Sequence, residues 1–185
     1  MVDIVLATGS LRRIELIKQV VDVSKIIKPL NDEKSEQQDP YYMVMDLAEH
    51  KAAEVAKIEP NAVIIGADTV VVMEGKVLGK PKNPSQATSM LKLLSGRSHL
   101  VYTGICLLYK DKKRNFVEES RVTFYELTDT QIADYIKTGS PFDKAGGYGV
   151  QDSGFVQDVE GSYHNVMGLP TKRLKVELDE FLYNL

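Results

Sequence analysis

Leu6-Ala7-Thr8-Gly9-Ser10-Leu11-Arg12-Arg13 is the stretch from which the rest of this chain is read. The apolar run Ile4 to Ala7 is patterned as a buried strand, and it breaks at a small, hydroxylated turn containing one glycine. Beyond the turn, Ile14, Ile17 and Val21 recur at helical spacing, which predicts a helix over 11–22. A strand, a tight turn and a helix N-terminus in succession turn free backbone N–H groups and the positive end of a helix dipole toward one spot, an arrangement suited to an anion. Arginines in the first helical turn oppose that dipole, and an anionic ligand would remove the conflict. The plainer alternative is that Ser10 caps the helix and both arginines are solvated.

At 185 residues the chain is long enough for one domain with a sizeable core, and we expect a single domain over 1–185. The net charge of −3 gives no support for general nucleic-acid binding, so no nucleic-acid partner is expected and any basic site must be local. No apolar run approaches membrane-spanning length and the first residues lack a signal-peptide pattern, so no membrane partner is expected. A lone cysteine, Cys106, cannot form an internal disulfide, and a cytoplasmic address fits best. Its apolar, strand-like surroundings (Ile105 to Leu108) mark it as a core residue rather than a nucleophile.

Further along, helix and strand patterns alternate without repeats or linkers. Strands are expected over 2–7, 63–65, 70–73, 76–78, 99–109, 116–124 and 155–159, with Glu74-Gly75 as a hairpin turn. Helices are expected from Asp39-Pro40 to about Lys57, from Asn83-Pro84, from the Thr128/Gln131 capping box to Lys137, and from Pro170 onward. The fold class is mixed α/β, because the hairpins argue against a purely parallel sheet.

Gly66-Ala67-Asp68-Thr69 follows an apolar strand, and Asp68 is expected to project from the strand end into a cleft; capping of a local turn is the alternative. In the helix from Pro40, Lys51 lies at i+4 from Leu47 and i+3 from Ala48, on the apolar stripe. An inward lysine needs a carboxylate or a bound anion, unless it snorkels to the helix edge. Lys80 sits in Gly79-Lys80-Pro81, and Lys144 precedes Ala145-Gly146-Gly147-Tyr148-Gly149, a run too glycine-rich for a helix and suited to close backbone approach. That run is not a P-loop, since the glycine spacing and the Gly-Lys-Ser/Thr ending are missing. His50, His99 and His164 are scattered, which argues against zinc. Glu33, beside Asp32 and Glu36, reads on its own as part of an exposed acidic loop.

Taken together these segments resemble the Maf family of nucleoside triphosphate pyrophosphatases. The resemblance is carried by 6–13, Asp32-Glu33, Leu47-Ala-Glu-His-Lys-Ala52, Gly66-Ala-Asp-Thr69, Gly79-Lys-Pro81, Leu94-Ser-Gly-Arg-Ser98, Lys144-Ala-Gly-Gly-Tyr-Gly-Val-Gln151 and Gly161-Ser-Tyr-His-Asn-Val-Met-Gly-Leu-Pro170, in order along nearly the whole chain. It implies a single elongated domain of Maf/ITPase-like fold, with a curved mixed β-sheet flanked by helices and a deep central cleft. It also implies metal-assisted hydrolysis of a nucleoside triphosphate to the monophosphate and pyrophosphate. Ala67-Asp68-Thr69 and the Lys144-to-Gln151 run resemble the branch acting on dTTP and UTP rather than the branch acting on 7-methyl-GTP.

By the same resemblance Asp68 matches the catalytic base, and Lys80 is the second expected catalytic residue, stabilising the departing pyrophosphate. Thr8, Ser10, Arg12, Arg13, Lys51, Thr69, Lys144 and Gln151 are expected to bind substrate. Among them Arg13 is assigned to phosphate, and Arg12, Thr69 and Gln151 to base choice. Glu33 and Asp68 are the expected ligands of a divalent cation, Mg²⁺ or Mn²⁺, with Co²⁺ as a further option. A homodimer is the family's lean, and the alternative functions are a nucleotide-binding regulator of cell division and a pyrophosphatase for 7-methyl-GTP. Leu11 stands where the family usually has proline, which removes a preset φ and predicts a less rigid loop. Thr8 stands where serine is frequent and keeps the hydroxyl.

Overall fold

The first apolar run forms β1 (Ile4–Ala7), buried at all four positions, in a computed structural model that describes residues 2–31 and 34–185. Helix α1 (Leu11–Ile17) follows, shorter than the 11–22 expected from its periodicity. The N–H groups of Val20 and Val21 both donate to Ile17 O, and the chain turns there into β2 (Lys25–Ile27). Two consecutive β-branched residues weaken helix propagation at that point. The three-residue β2 carries too short a pattern to be read from sequence. It lies parallel to β1, so β1-α1-β2 is a crossover unit.

Helix α2 (Pro40–Ala56) begins as expected, with Pro40 at the first position and the Asp39 carboxylate accepting from Tyr41 N–H at 2.8 Å. Next come β3 (Val63–Met73) and β4 (Lys76–Leu78), joined at Glu74 and Gly75, both at positive φ as a tight hairpin turn requires. Then follow α3 (Pro84–Leu94), β5 (Ser98–Tyr109), β6 (Lys112–Phe124), α4 (Asp129–Lys137), β7 (Val156–Glu160), α5 (Tyr163–Met167) and α6 (Thr171–Tyr183). The capping box of α4 is present as read from Thr128 and Gln131. Seven strands form one mixed sheet in the order β2-β1-β3-β5-β6-β7, with β4 paired to β3.

The sequence pattern gives two strands, 63–65 and 70–73, with Asp68 at the end of the first. The structure has one continuous strand of eleven residues in which Asp68 and Thr69 lie opposite Gly104 and Thr103 of β5. Asp68 is therefore mid-strand rather than at a strand end. Two adjacent polar residues interrupt the apolar pattern, one on each face, and such an interruption looks like a break although the ladder with β5 runs on.

That interruption organises the molecule. On one face of β3, Val63, Ile65 and Ala67 pack with α1 and α6 in a first core, while Val71 and Met73 pack with α3 and α4 in a second. Thr69 falls between them. On the other face Ile64 belongs to a cluster with Ala48, Ala52 and Val55 of α2, and Val70 and Val72 to a cluster with Val44. Asp68 falls between those. At the same level the sheet forks: β1 pairs with Val63–Gly66 and stops, and β4 pairs only with Val71–Met73. Residues 67–70 thus border a gap at the carboxyl end of parallel strand β1, where open α/β sheets place ligands.

Helix α2 lies unusually close over this region. A Cβ at Gly66 would stand 2.2 Å from Ala48 O, and one at Gly104 would stand 2.4 Å from Val44 O. The two glycines let the helix backbone rest on the sheet, and Lys51 is thereby brought onto β3.

Candidate active site

A cleft of about 490 Å³ opens at the fork, a volume within the range that accepts a drug-sized or nucleotide-sized ligand. Ten residues singled out from the sequence line it: Thr8, Ser10, Arg12, Arg13, Lys51, Asp68, Thr69, Lys80, Lys144 and Gln151. Glu33, the expected metal ligand, lies outside the described residues.

The turn after β1 is fixed by Thr8, whose buried hydroxyl accepts from Ser10 N–H at 3.1 Å. Ser10 stands at the N-cap position of α1, but its side chain makes no capping hydrogen bond. The capping alternative is therefore not what the structure shows. Leu11 is 79% exposed, an apolar residue at the first helical position that packs on little.

The two arginines have different settings. Arg13 points along the cleft floor: its Nε donates to Gly168 O at 2.8 Å and its Nη2 to Thr69 Oγ1 at 2.9 Å. Burial holds its pKa below the ordinary guanidinium value, against the opposing influence of Asp68, and neighbouring Arg12 adds to the lowering. Thr69 Oγ1 also meets Thr103 Oγ1 at 2.9 Å, and the Thr103 hydroxyl donates to Asn165 O at 3.0 Å. Arg12 instead reaches to the opposite wall, where its Nη1 donates to Asp143 Oδ2 at 3.2 Å.

Lys51 does what its helical phase required. It leaves the apolar stripe of α2 and forms a hydrogen-bonded ion pair with Asp68 Oδ1, both side chains less than a quarter exposed (24% and 16%). Lys80 is exposed on the loop after β4. That loop is joined to the glycine-rich segment by Gly146 N–H donating to Gly79 O at 3.1 Å. Gly146 and Gly147 have φ of 70° and 72°, values that explain glycine at both positions.

Lys144 is 8% exposed, and its Nζ donates to Ser140 O, Ser140 Oγ and Asp143 Oδ1, each at 2.8 Å. Gln151 is exposed at the rim, on a segment that Tyr135 supports. The Tyr135 hydroxyl accepts from Gly149 N–H at 2.9 Å and donates to Asp152 Oδ1 at 3.0 Å. Beneath the segment, His99 Nε2 meets Tyr148 Oη at 2.7 Å.

Sequence reasoning missed Lys28, Asn31 and Asp143, all of which line the cleft. Lys28 and Asn31 flank a proline on a loop with no motif of its own. Asp143 is adjacent to the lysine that was singled out, and adjacency of opposite charges was the available signal. Among the described residues the cleft carries six cationic side chains (Arg12, Arg13, Lys28, Lys51, Lys80, Lys144) against two carboxylates (Asp68, Asp143). In a chain of net charge −3 that local excess of cations favours a polyanion.

No three His, Cys, Asp or Glu side chains gather to hold a metal ion among the described residues. Asp68 supplies one hard oxygen donor in a cleft that suits phosphate. This donor set fits a cation of the Mg²⁺ type, bound through one or two carboxylates and completed by substrate phosphates; it does not fit a cation held by protein side chains alone.

The model of the Maf-like protein family matches residues 3–181. A Carboxydothermus hydrogenoformans protein named dTTP/UTP pyrophosphatase is 48% identical over 184 residues, covering 97% of this chain and 99% of its own. A Bacillus cereus protein of the same name is 44% identical over 181 residues, covering 96% and 95%. The chain belongs to the Maf-like family.

Proposed function

We propose that the protein is a nucleoside triphosphate pyrophosphatase that hydrolyses dTTP and UTP to the monophosphate and pyrophosphate. The observation that carries this reading is the Lys51–Asp68 pair at the fork of the sheet, a carboxylate set among the cations of a nucleotide-sized cleft. A module that only binds an anion gains nothing from a carboxylate there. Relatives at 43–48% identity named dTTP/UTP pyrophosphatase support the substrate choice.

In the proposed reaction water attacks the α-phosphorus, Asp68 accepts its proton, and the bond from the α-phosphorus to the bridging oxygen breaks to release pyrophosphate. Lys51 orients the Asp68 carboxylate through their shared hydrogen bond. Lys80, Lys144 and Arg13 neutralise the triphosphate and the leaving group. Thr8 and Ser10 present hydroxyl and backbone donors from the turn. Thr69, Gln151 and Arg12 offer donors and acceptors for the polar edge of a pyrimidine. A divalent cation (Mg²⁺, Mn²⁺ or Co²⁺) held at Asp68, with Glu33 as a further ligand, would supply Lewis-acid polarisation of the phosphoryl oxygens. The reading includes a cytoplasmic location and the family's homodimer, the latter checked by light scattering across concentrations.

The test is pyrophosphate release from a panel of natural and modified triphosphates with each of the three metals. Preferential turnover of dTTP and UTP is expected. Preference for 7-methyl-GTP would overturn the substrate choice, and no release from any member of the panel would favour a nucleotide-binding regulator.

A further inference from the structure

Asp143 holds two cleft cations at once. One carboxylate oxygen accepts from Lys144 Nζ at 2.8 Å, and the other accepts from Arg12 Nη1 at 3.2 Å. Arg12 belongs to α1, packed on the first core, whereas Asp143 closes the 3-10 turn Ser140–Asp143 on the other side of the cleft. With Ser140 O and Ser140 Oγ also accepting, the three N–H donors of Lys144 are all taken by protein. A lysine in that state has no donor left for a ligand unless one of its acceptors is exchanged. Asp143 is the acceptor that can leave. Its side chain is 68% exposed, whereas Ser140 O belongs to the backbone of the turn itself.

We infer that Asp143 is an internal counter-anion that competes with substrate for one donor each of Arg12 and Lys144, so that it sets how much acceptor chemistry a ligand must bring. The inference rests on the proposed function for the identity of the ligand, a polyphosphate with a polar base. A carboxylate and a phosphoryl group both present a pair of oxygens to two donors, so the exchange replaces like with like at Lys144, while Arg12 is released toward the base. A ligand with few acceptors, such as inorganic phosphate, competes poorly with a tethered carboxylate, and a triphosphate competes well. Asp143 thereby acts as a specificity determinant although it need not touch the bound substrate. The two partners also explain the state of its carboxyl: partial burial works against ionisation, but the Lys144 hydrogen bond and the Arg12 charge hold its pKa below the usual carboxylate value.

The experiment uses Asp143→Asn and Asp143→Glu in the full chain, with steady-state kinetics on UTP and dTTP and calorimetric titration of inorganic tripolyphosphate, which has no base and is read whether or not the protein turns anything over. For Asp143→Asn the KM for both nucleotides should fall at least three-fold without a rise in kcat, and tripolyphosphate should bind at least three-fold tighter. Inorganic phosphate should gain measurable affinity as well. Asp143→Glu keeps a competing charge and should stay near wild type in each measurement. An unchanged or raised KM together with unchanged or weaker tripolyphosphate binding in Asp143→Asn would overturn the inference and leave Asp143 as a clamp that positions Arg12. If wild type releases no pyrophosphate from any nucleotide, the proposed function fails, and the tripolyphosphate titration still decides this point.

Discussion

Lys51 of α2 and Asp68 of β3 meet across the seam between helix and sheet, where Gly66 and Gly104 leave no Cβ to hold the helix backbone off the strands. The pair joins two layers of the fold at the point where the cleft begins. Asp68→Asn should therefore abolish most turnover while sparing the fold, with a loss of roughly 10²–10⁴-fold if Asp68 is the general base. Pyrophosphate release and the circular dichroism spectrum are the measurements. Near-normal release from dTTP would sink the assignment.

Lys51→Met should destabilise the protein as well as impair it, because it strands a largely buried carboxylate without its partner. The expected cost is about 1–3 kcal/mol by urea denaturation. The double variant Lys51→Met/Asp68→Asn should recover most of that stability and none of the activity. Additive losses would mean that the pair contributes no coupling.

The close approach of α2 makes a separate prediction. Gly66→Ala places a methyl group 2.2 Å from Ala48 O, a backbone atom that cannot step aside, so a loss of about 1–3 kcal/mol and reduced activity are expected. Gly79→Ala has nothing within 4 Å of its Cβ and serves as the matched control. Equal melting temperatures for the two variants would show that the helix is free to lift.

His99 sits 2% exposed against Tyr148, with its Nδ1 unpartnered among the described residues, and burial lowers its pKa from 6.5 to about 4. The unfolded chain binds the proton first as pH falls, so this histidine's contribution is intact above about pH 6.5 and is lost progressively toward pH 4. The slope is roughly 1.4 kcal/mol per pH unit within that window. Urea unfolding of wild type and His99→Gln at pH 7, 6 and 5 isolates the effect. The difference in stability between the two should shrink as pH drops, and a constant difference would rule it out.

Cys106 is fully buried in the sheet, and burial pushes its thiol up to about 12. The native protein should stay unreactive toward a water-soluble disulfide reagent for as long as it stays folded, and urea should expose one thiol equivalent. Rapid native labelling would contradict the packing around β5.

Much of this was legible in the chain because local chemistry and global fold agree. Pro40 after Asp39, Glu74-Gly75, and Thr128 with Gln131 each announce a cap or a turn through their own backbone preferences. Lys51 was readable as an inward lysine in need of a partner because helical phase is fixed by spacing. The continuity of β3 was not readable, since strand pairing depends on β5, some forty residues downstream, and Asp68-Thr69 breaks the pattern on both faces. The role of Asp143 was hidden for a similar reason: its partner Arg12 is 131 residues away, and no local pattern records that contact.

The two cores that flank Thr69 have a mechanical consequence. They are joined by β3 and β5, which run unbroken from one to the other, and an unbroken strand contains no loop in which a hinge could lie. Moving the two cores apart therefore requires twisting those strands, with the ladder hydrogen bonds between them sharing the strain. The sheet thus holds the spacing of the two cores, and rearrangement on binding falls to the side chains and loops that line the cleft.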